Sequence, residues 1–350
     1  MTTYIYVSNA DDGDIGLYTL QPNGALHPGA RFKAQAPVMP MAVTPDRRYL
    51  VAAVRSQPCS AWSYAINRAT GALERIGTGP LAESFPYIAF DRTGRYLLGA
   101  SYGANLVSVN PVGADGRVGA PTQVIPTARN AHAIRTDNTN RFVFAPHLGT
   151  DQVFQFLFDQ QTGKLTANTP PLVQLEAGSG PRHLVISPDN RFVYLLNELT
   201  ATVTTLSLDQ KTGLLTQVAC TPTLPSDSRL SPGAPRPTPG RDVDNDIWAS
   251  DLHLTPDGRF LYAAERTSSS IAALRVDPAT GTLTYLGSTS TEKQPRGFRI
   301  DPAGRFMIVS GEKSGMLSSY AIDPASGALT LVGRYPTGKG SNWVEIVAFD

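Results

Sequence analysis

The chain has 350 residues, 41% of them hydrophobic, with 31 glycines and 28 prolines. This is too apolar for disorder and rich in turn formers. Its 30 lysines and arginines balance 29 aspartates and glutamates, so no bulk positive field draws it to nucleic acid or anionic lipid, and a charged ligand must be met locally. Cys59 and Cys220 are too few and too far apart for a disulfide framework or a cysteine zinc site, and both read as buried, inert thiols.

The opening residues, MTTYIYVSNADDGD, lack a basic region followed by an apolar run, and nowhere do about 18 apolar residues occur in a row. A soluble cytoplasmic protein without membrane contact is expected. TYIYVSNA itself reads as a strand. From there one phrase recurs, a tight turn that opens an alternating apolar strand: TPDRRYLVAAVR from Thr44, DRTGRYLLGASY from Asp91, TDNTNRFVFAPHL from Thr136, SPDNRFVYLLNE from Ser187, TPDGRFLYAAER from Thr255 and DPAGRFMIVSGE from Asp301. A second phrase marks another turn, with glycines at 24, 71, 116, 163, 213, 281 and 327.

Successive glycines lie 47, 45, 47, 50, 68 and 46 residues apart, the period of one four-stranded propeller blade. Helical solenoids are excluded because apolar residues alternate with period two. The prediction is an all-β, seven-bladed β-propeller spanning 1–350 as one domain. Each blade reads as strand a, the Pro-Asp turn, strands b and c, the Gly turn, then strand d. The first phrase occurs six times only. C-terminal SNWVEIVAFD supplies a strand a without its strand b and TYIYVSNA a strand b without its strand a, so the termini pair to close the seventh blade. The one break in period is a Pro-rich insertion at 221–247, read as a surface loop between two blades and as either a partial lid or an inert insert.

Strand a lines the central channel of such a fold, and its first residues emerge beside the end of strand b. Counting from each phrase arginine, position minus nine is Pro86, His132, Arg182, Ser250 and Arg296, and position plus seven is Arg55, Tyr102, Leu148, Glu198, Arg266 and Glu312. Both sets converge on one mouth. Burying unpaired charge costs several kcal/mol, so this convergence reads as an anion pocket with a general acid or base, weighed against a ring of Arg-Glu pairs that merely caps the channel. Arginine forks suit carboxylate, phosphate or a developing oxyanion. His183 and Trp248 adjoin the set as substrate contacts; His183 and His253 also fit structural positions between blades, and Trp343, like Trp248, flanks a strand-a start. His147 is out of register and His27 lies in an outer turn. Arginines occupy the ground a divalent metal would need, so no metal and no cofactor are expected.

At these residues the chain resembles the seven-bladed propeller lactonase family, which includes bacterial 6-phosphogluconolactonases and a fungal carboxy-muconate cyclase. The likeness runs end to end and is most specific in GSGPRHLVISPDNRFVYLLNEL from Gly178, WASDLHLTPDGRFLYAAERTSS from Trp248 and TEKQPRGFRIDPAGRF from Thr291. It implies an active site built on His132, Arg182, Glu198 and Arg266, with Arg296 a further anion ligand. Arg55 and Glu312 at the same mouth join as substrate contacts. The expected reaction is hydrolysis of a small anionic sugar lactone, with 6-phosphogluconolactone the leading candidate. Alternatives are an aldaric-acid lactone, a muconate-type lactonizing reaction and, from another class, a non-enzymatic propeller scaffold. The base is Glu198 or His132.

Overall fold

Seven four-stranded antiparallel sheets follow one another along the chain, in a computed structural model that describes residues 2–349. Blades 1 to 6 span 38–80, 87–126, 135–174, 181–222, 249–290 and 295–336. In blade 7, Ser341–Phe349 pairs antiparallel with Thr2–Asn9, placing Thr2 opposite Phe349 and Ser8 opposite Trp343. The ring is thereby closed by the two ends, as the split repeat predicts.

The two repeated phrases meet across blade boundaries. Gly281 of blade 5 sits at φ +72°, and a Cβ there would lie 2.5 Å from the ring of Phe192, which opens strand b of blade 4. The same stacking places Gly71 of blade 1 on Tyr4 of blade 7 and Gly327 of blade 6 on Phe260 of blade 5. Only glycine permits both the left-handed turn and the close approach. Between each neighbouring pair of blades lies one apolar cluster, among them Tyr194, Leu196, Leu252 and Leu261 between blades 4 and 5. Such blade-on-blade burial drives closure.

Cys59 is buried as expected, but Cys220 is exposed. It lies on outer strand d (Leu215–Pro222), most of whose side chains are exposed. The connection that carries the insertion runs 223–248 rather than 221–247, because that strand carries 221 and 222 and the next begins at Ala249.

Candidate active site

Five inner strands begin with a β-bulge, those of blades 1 and 7 and three that carry site residues. The register slips between Pro181 and His183, between Ala249 and Leu252, and between Pro295 and Gly297. An extra residue turns the strand locally and re-aims side chains, so that Arg182 and its neighbour His183 both join the polar network of the channel rather than facing opposite ways.

At the upper mouth, where the inner strands begin, Glu198 lies between two guanidiniums. Its Oε2 is 2.6 Å from Arg182 Nε and 2.9 Å from Arg266 Nη2, and its Oε1 accepts the indole N–H of Trp248 at 3.1 Å. The contact with Arg182 Nε is one of charge, because that N–H is not aligned on an acceptor. Arg266 also donates to the carbonyls of Trp248 and Ala249, both at 2.9 Å. Arg182 and Arg266 are each 2% exposed and Glu198 4%. Burial works against both guanidinium charges and the Glu198 carboxylate offsets it. An ion triad this dry is costly and persists because each charge is paired.

His132 is also buried, and its Nδ1 has no hydrogen-bond partner. Its ring lies 5.1 Å from that of His183 and 5.7 Å from that of Tyr102. Burial, then the charges of Arg182 and other neighbours, hold its pKa well below the usual histidine range, so the ring is neutral. Arg296 pairs with Glu312 at 3.4 Å at the rim, both about one-fifth exposed. Arg55 donates to Ser84 Oγ at 2.6 Å and is close enough to Arg296 for their charges to oppose each other. Ser250, at the equivalent position in blade 5, instead donates to the Pro295 carbonyl at 2.6 Å.

His183 lies beneath this layer with both ring nitrogens engaged, one by Arg182 and one by Asp251. This leaves none free for direct recognition of a ligand, contrary to its reading as a substrate contact. His253 contacts the other Asp251 oxygen at 3.2 Å, so the two histidines meet in the channel rather than standing apart between blades. Burial opposes the Asp251 charge, yet the two histidines hold its carboxyl well below the usual range. Trp343 is on the far side of this layer, donating to Glu345 at 2.8 Å. His147, buried, contacts the Ala145 carbonyl and Thr127 hydroxyl, each at 2.8 Å.

Sequence reasoning passes over Asp251 and Arg236. Asp251 occupies the same repeat position as His183, one residue past the minus-nine set, and that shared register is the signal. Arg236 belongs to the insertion, which crosses the mouth: the Tyr102 hydroxyl of blade 2 donates to the Arg236 carbonyl at 2.8 Å. The Arg236 and Arg266 guanidinium carbons lie 3.8 and 3.6 Å from the Trp248 ring centroid. Two guanidiniums at these distances do not fit on one face, so they sandwich the indole.

The family model for lactonases of the seven-bladed β-propeller type matches residues 2–346. The chain belongs to that family. It is 39% identical over 99% of its length to the whole of a 6-phosphogluconolactonase of Serratia proteamaculans. It is 35% identical over its full length to the whole of one from Pectobacterium carotovorum. Among solved structures, the periplasmic gluconolactonase PpgL of Pseudomonas aeruginosa superposes with a TM-score of 0.87 at 27% identity, over 99% of both chains.

Proposed function

We propose that the chain is a metal-independent lactonase that hydrolyses 6-phosphoglucono-1,5-lactone to 6-phosphogluconate, with His132 as the base. The observation that carries the reading is the unpartnered Nδ1 of neutral His132, buried in reach of the fields of Arg182, Arg266 and Arg296. Glu198 is already engaged by the charges of Arg182 and Arg266 and by the indole N–H of Trp248, which fits it to hold the arginines rather than to take a proton. The full-length relatives named 6-phosphogluconolactonase support the substrate.

In this reading water attacks the lactone carbonyl carbon as His132 removes its proton. Arg182 and Arg266 stabilise the oxyanion. Collapse re-forms the carbonyl and breaks the bond to the ring oxygen, which takes the proton back from the imidazolium and leaves as the hydroxyl of the acid. Arg296 and Arg55 bind the phosphate. A bound dianion offsets the arginine charges that depress His132, so substrate raises its basicity when it is needed. His183 and Asp251 fix the orientation of Arg182. Because Arg182, Glu198 and Arg266 are nearly dry, substrate entry requires the insertion to move, and we assign it the role of a partial lid. A phosphorylated substrate does not cross a bilayer unaided and is made where sugars are phosphorylated, which supports a cytoplasmic reaction.

The test is a rate comparison on freshly made 6-phosphogluconolactone, gluconolactone and glucaro-1,5-lactone, before and after prolonged EDTA treatment. The phosphorylated lactone should be favoured over the neutral one by about 100-fold in kcat/KM, the worth of two charge-assisted hydrogen bonds, with no loss to EDTA. Equal rates on the charged and neutral lactones, or activity restored only by a divalent metal, would contradict the reading.

A further inference from the structure

The channel has a second mouth, on the face where the inner strands end and the Pro-Asp turns begin. Two cavities of about 230 and 220 Å³ open there. The first reaches Arg299, Trp343 and Glu345, and the second His253 and Pro188. Arg92 and Arg135 line both. None of the residues assigned above to the reaction lies in either wall.

The acids around this mouth are committed. Asp91 accepts the backbone N–H groups of Thr93 and Tyr96 and the Asn140 amide. Asp137 accepts those of Thr139, Arg141 and Phe142 and the Asn190 amide. Glu345 pairs with Arg299 at 2.7 Å and accepts the Trp343 indole N–H. Asp251, deeper in, is held by two histidines.

Arg92 and Arg135 have no such partner. Arg92 donates to neutral acceptors, the Asp137 carbonyl at 3.3 Å and Asn138 Oδ1 at 2.5 Å. Arg135 makes no side-chain hydrogen bond or ion pair among the described residues. Burial, then the Arg135 charge, works against the charge of Arg92, which the Asp137 carboxylate partly offsets, so an exposed Arg92 and a half-buried Arg135 face one space in which Arg135 has no counterion among the described residues. The two like charges repel, and an anion that takes hydrogen bonds from both forks relieves that repulsion. A double positive charge matches a dianion, and the volumes fall below the roughly 300 Å³ at which pockets for drug-sized ligands begin.

We propose that the mouth opposite the candidate active site binds a phosphate-type dianion between Arg92 and Arg135. The site is separate from the lactone reading and does not depend on it. The ligand is either free phosphate or the phosphate end of a small ester, both presenting the same oxygens.

The experiment is calorimetric titration of the full chain with inorganic phosphate and, in a second arm, glycerol 3-phosphate, for wild type, Arg135→Gln and Arg296→Met. Wild type should show a phosphate-binding component that survives Arg296→Met and weakens at least about tenfold in Arg135→Gln, whose lactone hydrolysis is unchanged. Equal affinity for glycerol 3-phosphate identifies an ester end as ligand, and preference for phosphate identifies the free ion. Unaltered binding in Arg135→Gln, or loss of all binding in Arg296→Met, overturns the proposal. Should Arg135→Gln fail to fold, phenylglyoxal labelling of wild type decides: phosphate must protect Arg135 from modification, and equal labelling with and without phosphate overturns the proposal.

Discussion

Arg182 Nη1 donates to His183 Nε2 at 3.0 Å. Guanidinium only donates, so His183 is neutral with its proton on Nδ1, directed to Asp251 at 2.9 Å. Burial and the Arg182 charge push the His183 pKa down to about 3. Burial likewise holds His147 at about 4 and keeps His132 and His253 below the usual value.

Acid should therefore unfold the protein early. These four histidines are neutral when folded, whereas the unfolded chain takes up protons near pH 6.5. Their contribution is level above that pH and is lost as pH falls through it, by up to about 1.4 kcal/mol per pH unit for each histidine. Against a total stability of about 5–15 kcal/mol, urea denaturation should report a steep decline between pH 6.5 and pH 5. A flat profile over that interval would show that the buried histidines titrate normally.

Glu198→Gln should destabilise the fold as well as the reaction. Removing the carboxylate leaves Arg182 and Arg266 as buried like charges, for which the expected loss is about 3–5 kcal/mol, read as a lowered Tm. Glu198→Gln with unchanged Tm would mean that the triad is not held by its central charge.

Arg296→Met should raise KM for 6-phosphogluconolactone about tenfold or more, the loss of one charge-assisted pair, and leave neutral gluconolactone nearly unaffected. Equal losses on both lactones would show that Arg296 does not read the phosphate.

Arg236→Gln tests the insertion. Trp248 is sandwiched by Arg236 and Arg266, and if the insertion opens to admit substrate, tryptophan fluorescence should change on binding and the change should shrink in Arg236→Gln. An identical response in the variant would make the insertion a bystander.

The ring, its seven blades and its closure were legible because the repeat reports blade geometry directly: the Gly turn and the aromatic of the next phrase are two halves of one contact, as with Gly281 and Phe192. Counting from the phrase arginine also brought His132, Arg182, Glu198, Arg266 and Arg296 to one mouth. It failed one residue later. A regular strand would turn His183 and Asp251 away from Arg182, and only the bulges bring them into its network. Arg236 was illegible for another reason, since the insertion has no counterpart in the other blades from which to take a register. The proposal of His132 over Glu198 as base rests on which polar atoms are already spent, which no repeat pattern reports.

The most direct test is kcat for His132→Asn on 6-phosphogluconolactone, measured beside wild type at neutral pH. A fall of about two to four orders of magnitude with little change in KM or Tm is the expected result for loss of a general base. A variant that keeps more than about a tenth of the wild-type kcat would contradict the assignment of His132 as base.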